Sequence, residues 1–449
     1  MFVRMSKSEP ESWPLPLKLG RTSAPPFPVR PSPSVLILWC LIALGCALRL
    51  ANPFLPGHNP LDQLWSDPAR HWNNATDLLG KTPLHAINQI GYQLWLAAIA
   101  KFTLDIPTLV AVCAGLLSVA NTWIWYRFFR EFFRRKTTAL LAWVAILYLP
   151  SWFGIFRLFM SETLFIPLVG LSLWMTWRCQ RKQTVGAFVA MGLCWTFAGL
   201  TRGVAIPMAA VATLYLWILQ REKLQKAFAL GLPLAAILLA CAYRTYALTG
   251  VFHPLSSGHY DYAYAVSGNK TVHLDFHENG TTRYTYWFGS PSMNEQPFRP
   301  FSDWKTKRSG ALQFTIDLNH QRESWRTAFT AAAATNPSWW PWLPENLIFL
   351  FFGSSWPDNN PAIFVDRLTI HLRWLFAPLF VLTFTTLWLC RRERRHDCAL
   401  LGLVLLTWFA VQGLTPIVLN EGRYRKPVEA LVLCVPLLLW ERKRQSKQV

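Results

Sequence analysis

The stretch IPTLVAVCAGLLSVANTWIWYRFFREFFRRK (residues 106–136) decides the fold. Residues 106–126 carry no charge, and as a helix they cover about 30 Å, the hydrocarbon thickness of a bilayer. Arg127, Arg130, Arg134, Arg135 and Lys136 follow at once. An apolar span running into a basic cluster is the mark of a helix that ends on the cytoplasmic side. The same pattern recurs at Arg178, Arg181 and Lys182, and at Arg221, Lys223 and Lys226. It returns at Arg391, Arg392, Arg394 and Arg395, and last at Arg442, Lys443 and Arg444.

Composition agrees. Of 449 residues, 52% are hydrophobic and only 15% are charged, too few for a soluble chain of this length. The net charge of +20 sits at the ends of apolar spans, so it reads as membrane topology and no nucleic-acid partner is expected. The nine cysteines show no metal-ligand spacing and read as small core residues. The 24 Trp and 30 Phe are expected mostly on lipid-facing surfaces and in interfacial belts.

Alternating the basic clusters gives ten spans with both termini cytoplasmic: 35–50, 106–126, 138–156, 163–177, 185–200, 204–219, 227–248, 372–389, 399–419 and 427–440. The expected fold is an all-α polytopic membrane protein of about ten transmembrane helices. Residues 1–34, rich in Pro and Ser, read as a disordered cytoplasmic tail. Residues 35–248 form a membrane module that includes an external loop, 51–105. Residues 249–371 form an external loop subdomain, and 372–449 the C-terminal transmembrane helices. Arg49 and Pro53 make a poor cleavage site, so the first span is expected to be retained. Two stretches are too short to cross: 86–102, expected as an amphipathic juxtamembrane helix on the outer surface, and 343–353, expected as interfacial or re-entrant. In the long loop, the alternation at Tyr260–Tyr264, 271–276 and 281–287 predicts strands, and 312–330 predicts a helix.

Ionisable residues gather at the external ends of the helices. Asp67, Arg70, His71 and Lys81 lie in the first loop; Arg157 and Glu162 flank the next external turn. Arg202 marks the third, Arg244 ends the seventh span, and Glu421, Arg423, Tyr424, Arg425 and Lys426 form the last turn. Charge is costly beside lipid, so such residues are functional candidates by default. Arginine binds phosphate oxygens with two aligned donors, and a carboxylate can accept a proton from an incoming hydroxyl. Plain structural roles stand beside these. Asp67 before Pro68 suits a helix N-cap, Glu162 can cap its own helix, and Arg423 and Arg425 can anchor headgroups. His71 suits substrate orientation more than proton abstraction. Asn74-Ala75-Thr76, Asn269-Lys270-Thr271 and Asn279-Gly280-Thr281 match the glycosylation pattern, which is short enough to occur by chance.

Five motifs in order resemble the GT-C membrane glycosyltransferases, in the family 39-like branch akin to lipid A aminoarabinose transferase and the protein O-mannosyltransferases. They are Ser66-Asp67-Pro68-Ala69-Arg70-His71-Trp72; Lys81-Thr82-Pro83-Leu84-His85 with Ile90-Gly91-Tyr92; Ser161-Glu162-Thr163-Leu164-Phe165; Thr201-Arg202-Gly203; and Arg423-Tyr424-Arg425-Lys426-Pro427. Many relatives carry a second acid where this chain has Pro68. The resemblance implies inverting transfer of a sugar from a polyprenyl-phosphate donor to an acceptor hydroxyl. Asp67 would be the general base and Glu162 would hold the sugar or acceptor. Arg70, Lys81, Arg202, Arg423, Tyr424 and Arg425 would bind the donor phosphate, and His71 would orient the substrate. It implies no cofactor beyond the lipid-linked sugar, although a divalent metal held by Asp67 and Glu162 stays compatible with the motif. The implied partners are that lipid, a glycan, lipid or protein acceptor, and the membrane. The site would face the periplasm of a bacterial inner membrane, or the lumen of the endoplasmic reticulum. The rival readings are an oligosaccharide ligase or polymerase of GT-C type, a transporter or flippase of lipid-linked sugars, and a membrane scaffold.

Overall fold

The structure, a computed structural model, describes residues 33–76, 90–102, 105–219, 223–249, 252, 271–288, 311–333, 343–353, 355, 359–414 and 422–445. The tail, Lys81, the Tyr260–Tyr264 strand and Glu421 fall outside these residues. In chain order the helices begin with α1 (Pro33–Ala51), α2 (Ser66–Thr76), α3 (Ile90–Ala100), α4 (Ile106–Phe132) and α5 (Lys136–Leu147). Next come α6 (Pro150–Gly154), α7 (Glu162–Lys182), α8 (Val185–Thr201), α9 (Ala205–Leu219) and α10 (Lys223–Thr249). Strands β1 (Thr271–Glu278), β2 (Thr281–Phe288) and β3 (Ala311–Asp317) precede α11 (Gln321–Ala333) and α12 (Leu343–Phe352). The chain continues with α13 (Phe364–Leu372), α14 (Phe376–Cys390), α15 (Arg395–Gly413), α16 (Lys426–Cys434) and α17 (Leu437–Gln445).

The protein is an all-α polytopic membrane protein with one small sheet among the described residues. Where they are described, the ten expected spans are mostly helical, with breaks at 148–149 and 435–436, and residues 415–419 of the ninth lie outside the described residues. By length and composition, four stretches among the described residues can cross a bilayer alone: Pro33–Phe54, Ile106–Phe132, Phe364–Cys390 and Arg395–Gly413. Lys136–Leu147 and Pro150–Arg157 make a fifth when taken together, bent by 57°. Pro150 lacks the amide that would continue the ladder, which accounts for the break. Val185–Thr201 and Ala205–Leu219 are apolar but shorter.

The broken end of α5 is satisfied from α1. Arg49 is buried and donates from Nε to the Leu147 carbonyl (2.9 Å) and from Nη2 to that of Ile146 (3.0 Å). Its Nη1 reaches Ser118 Oγ (2.8 Å) and the Trp152 carbonyl (3.3 Å). One guanidinium thus serves the cluster of carbonyls exposed at the bend. Lys426, also buried, does the same from α16, donating from Nζ to the Ser151 carbonyl at 2.6 Å. At the opposite ends of these helices, the buried Glu441 carboxylate of α17 accepts from the Arg135 amide (2.6 Å) and the Arg394 guanidinium (3.2 Å).

Many aromatic side chains face inward rather than toward lipid. Trp125, Trp152, Trp177, Trp195 and Trp408 are fully buried, while Trp39, Trp65, Trp123, Trp217, Trp374 and Trp388 are exposed. Four of the five buried ones tie helices together through the indole N–H, while Trp177 Nε1 has no hydrogen-bond partner. Trp125 donates to the Ile166 carbonyl (3.2 Å), Trp152 to that of Lys426 (3.1 Å), Trp195 to Thr176 Oγ1 (2.9 Å) and Trp408 to the Tyr424 carbonyl (3.2 Å). Without water nearby, an indole N–H needs such a partner, and finding one fixes the helix pair.

The loop region corrects one expectation and refines two. Residues 312–330 are not one helix. Ala311–Asp317 is a strand pairing parallel with β1, in sheet order β2-β1-β3, and the helix starts at Gln321. The period explains it: Phe314 and Ile316 are buried while Gln313 and Thr315 are exposed, an alternation of two. The β1–β2 hairpin turns on Asn279 and Gly280, both at positive φ (52° and 78°), as a two-residue turn of the favoured hand requires. The helix expected over 86–102 is apolar all round and inserted. Tyr92, Gln93, Leu96, Ala97 and Ile99 of α3 are buried against α2, α4 and α8. Gly91 permits this, since a Cβ there would sit 2.9 Å from the Leu200 carbonyl.

Arg49→Met keeps the aliphatic stem but removes every donor to the broken helix. It is expected to cost about 2–4 kcal/mol. Thermal unfolding in detergent checks this against Arg391→Met, in an exposed turn, and equal melting temperatures for both variants and wild type would refute it.

Candidate active site

The site assembles where the N-terminal ends of α2 and α7, the C-terminal end of α8 and the 3₁₀ turn Gly422–Arg425 meet. α2 begins at Ser66, which places Asp67 inside the first helical turn rather than at the cap. Asp67, Arg70 and His71, three and four residues apart, therefore share one face. Asp67 Oδ1 accepts from Arg70 at 2.7 Å, and Oδ2 from Arg423 at 3.2 Å.

Glu162 opens α7 and is fully buried. Arg202, which follows the last turn of α8, makes a very short contact with its carboxylate, and Arg423 Nε lies 3.7 Å away. Ser161 Oγ donates to the same carboxylate at 3.3 Å. Arg423 is thus shared between both acids. Tyr424 lies beneath the two cations, with the Arg202 and Arg423 guanidiniums 4.7 and 5.3 Å from its ring centroid. His71 is buried, meets Tyr92 edge-on with ring centroids 5.1 Å apart, and contacts Gln93 Nε2 through Nδ1 at 3.0 Å.

Electrostatics follow from this geometry. Burial alone would raise the Asp67 carboxyl, but Arg70 and Arg423, with His71, outweigh it and hold it down to about 2. Burial first, then the Arg70 charge, pushes the His71 imidazole down to about 3, against the pull of Asp67 and Glu162. At neutral pH His71 is uncharged. Among the described residues of the cluster, three guanidiniums face two carboxylates, leaving one net positive charge.

Two expected members stand elsewhere. Arg425 is not with the cluster; its Nη1 donates to the Leu350 and Gly353 carbonyls, both at 3.0 Å, and closes the C-terminal end of α12. A guanidinium two residues after Arg423 in a tight turn points to another side, so its role is structural. Arg157 is consumed by Asp366 of α13 in a buried pair at 2.6 Å. Three residues went unnoticed in the sequence, Gln93 and Asp366 as partners of His71 and Arg157, and Asn74 as a buried amide on the helix that carries Asp67. Gln93 reads as a surface marker in an apolar run, yet its side chain turns inward to His71. Asn74 could have been found, because it lies seven residues after Asp67 and so on the same helical face.

Residues 92–244 match the model of a family described as dolichyl-phosphate-mannose-protein mannosyltransferase. The matched stretch runs from α3 through α10 and includes Glu162 and Arg202, while Asp67 and Arg423 lie outside it. The match supports a GT-C-like membrane glycosyltransferase. A comparison with curated proteins gave no significant match.

The low value for His71 fixes a sign. As pH falls below 6.5, the unfolded chain takes up a proton that the folded site refuses until about 3. Stability from this group is therefore full above 6.5 and is lost as pH falls through that window. Melting temperatures between pH 7 and 4.5 should fall more steeply for wild type than for His71→Gln, by at most about 1.4 kcal/mol per pH unit. Parallel curves would mean that the imidazole titrates normally.

Proposed function

We propose that this protein is an inverting glycosyltransferase that moves a sugar from a polyprenyl-phosphate donor to an acceptor hydroxyl. The observation that carries the reading is the cluster around Arg423, in which an excess of guanidinium charge surrounds a carboxylate at the membrane boundary. Two further features support a lipid-borne anion. An apolar cleft of about 310 Å³ lies between α8, α9 and α10, lined by Trp195, Gly199, Ile206, Ala209, Trp217 and Leu234 among others. The turn joining α8 to α9 carries Arg202, so an isoprenoid chain in the cleft would bring its phosphate to that cation. The matched family's description names a dolichyl-phosphate-mannose donor, of the same chemical class.

The donor phosphate sits among Arg70, Arg202 and Arg423, with Lys81 as a further ligand. In binding it draws Arg70 and Arg423 away from Asp67. A carboxylate held at about 2 is a weak base, and losing its cations to the phosphate restores its basicity. The acceptor oxygen attacks the anomeric carbon from the side opposite the phosphate, and the new C–O bond inverts that centre. The bond to the phosphate oxygen breaks and its electron pair stays on the phosphate, where the guanidiniums stabilise it. The hydroxyl proton passes to Asp67 and then to water. Glu162 positions Arg202 and Arg423, and neutral His71 orients the sugar. The arginines supply the charge that a divalent metal would bring, so the lipid-linked sugar is the only co-substrate. The positive-inside clusters support a site that faces the periplasm, or the lumen for a eukaryotic source.

Mass spectrometry of envelope glycans and glycoproteins from a deletion strain tests the reading. A discrete sugar mass should vanish, return with wild type, and fall at least about a hundredfold with Asp67→Asn at matched expression. Full restoration by Asp67→Asn would remove the base. Unchanged products with a displaced pool of lipid-linked sugar would mean transport instead. Activity in isolated membranes should persist in EDTA, and its loss would put a metal in the site.

A further inference from the structure

Asn74 is buried, with 1% of its surface exposed, yet neither its amide nitrogen nor its amide oxygen has a hydrogen-bond partner. Leaving such groups unpaired costs about 1–3 kcal/mol each, so buried amides are almost always satisfied. Its position says what it faces. Asp67, Arg70, His71 and Asn74 recur at the spacing of one helical face, and Asn74 falls in the middle of that stripe. Trp72 and Ala75 turn the other way, into the apolar cluster with Tyr92, Leu96 and Phe159. Packing in that cluster therefore does not dictate an amide at position 74. The neighbouring helix α3 adds a second group of the same kind. Gln93 spends its amide nitrogen on His71, while its buried oxygen Oε1 has no partner.

Chemistry separates these groups from the cations beside them. Guanidiniums suit phosphate oxygens. A neutral amide offers two donors and an acceptor in one plane, which suits hydroxyl groups that are themselves donors and acceptors. We propose that Asn74, with Gln93 Oε1, binds the hydroxyls of the donor's sugar ring, beside the arginines that hold its phosphate. This rests on the glycosyl-donor reading above and names the residue that reads the sugar. The unpaired amide atoms are then a ligand's hydrogen-bond partners, held in place by helix α2 before the sugar arrives.

The test uses the full-length protein in nanodiscs. Binding of bare polyprenyl phosphate is compared with that of polyprenyl phosphate bearing mannose, glucose, galactose or arabinose. Wild type should prefer at least one sugar-bearing lipid to the bare one. Asn74→Leu and the nearly isosteric Asn74→Asp should lose that preference by about tenfold or more, the worth of one or two hydrogen bonds. Affinity for the bare lipid should stay within about twofold in Asn74→Leu. A preference that survives in both variants, or a loss shared equally by the bare lipid, overturns the assignment. Wild type binding the bare lipid with no preference for any sugar also overturns it, while leaving the phosphate site standing. Wild type binding none of the lipids overturns the donor reading itself, and this one with it.

Discussion

Everything at this site depends on one constraint: a guanidinium taken out of water must be surrounded by oxygens. Arg423 meets it by touching both acids, Asp67 at 3.2 Å and Glu162 at 3.7 Å. Removing either carboxylate would leave buried charge uncompensated, which is far more costly than losing an exposed pair. The two acids are therefore part of one electrostatic unit, although one opens α2 and the other opens α7. The unit is also incomplete, because its cations outnumber its anions. In the proposed reaction an arriving phosphate would complete the charge balance, and the same event would change which oxygen the arginines hold.

The frame around the site obeys the same rule with backbone oxygens. Arg49, Lys426 and Arg425 all reach carbonyls at breaks or ends of helices, and Arg425 also lies 4.0 Å from the Glu429 carboxylate. Such breaks would be untenable in lipid, where no water satisfies an open carbonyl. Long cationic side chains supply the missing donors and keep the chain irregular where the site needs turns instead of continuous helix. Buried indoles add ties between neighbouring helices. The result is a membrane body whose interior is cross-linked by hydrogen bonds at the level of the reactive groups.

The apolar segments were legible because span length and flanking charge are one-dimensional signals. Helix ends were less so: 163–177 proved to be the first part of a helix running from Glu162 to Lys182, since its basic C-terminal end remains helical. Asp67, Arg70, Glu162, Arg202 and Arg423 were readable as candidates, because each is a charge at the boundary of an apolar span. What the sequence hid was direction. Arg423 and Arg425 look equivalent in a string, yet a tight turn sends one to Asp67 and the other to α12. Gln93 looked like a mark of solvent and instead meets a histidine. Residues 312–330 concealed a strand because two short apolar runs, one of period two and one of period nearer four, abut without a strong breaker.

The contact between Arg423 and Asp67 joins residues 356 positions apart in the chain. At about 5–20 residues per second, synthesis alone separates their appearance by roughly 20–70 s. During that interval the first loop of the nascent protein holds its acid and its histidine without the arginine that finishes the pocket. The cluster of two acids and three arginines is thus complete only once residue 423 has been made. Assembly order therefore matters: a chain interrupted before residue 423 holds Asp67 and Glu162 without the guanidinium that joins them.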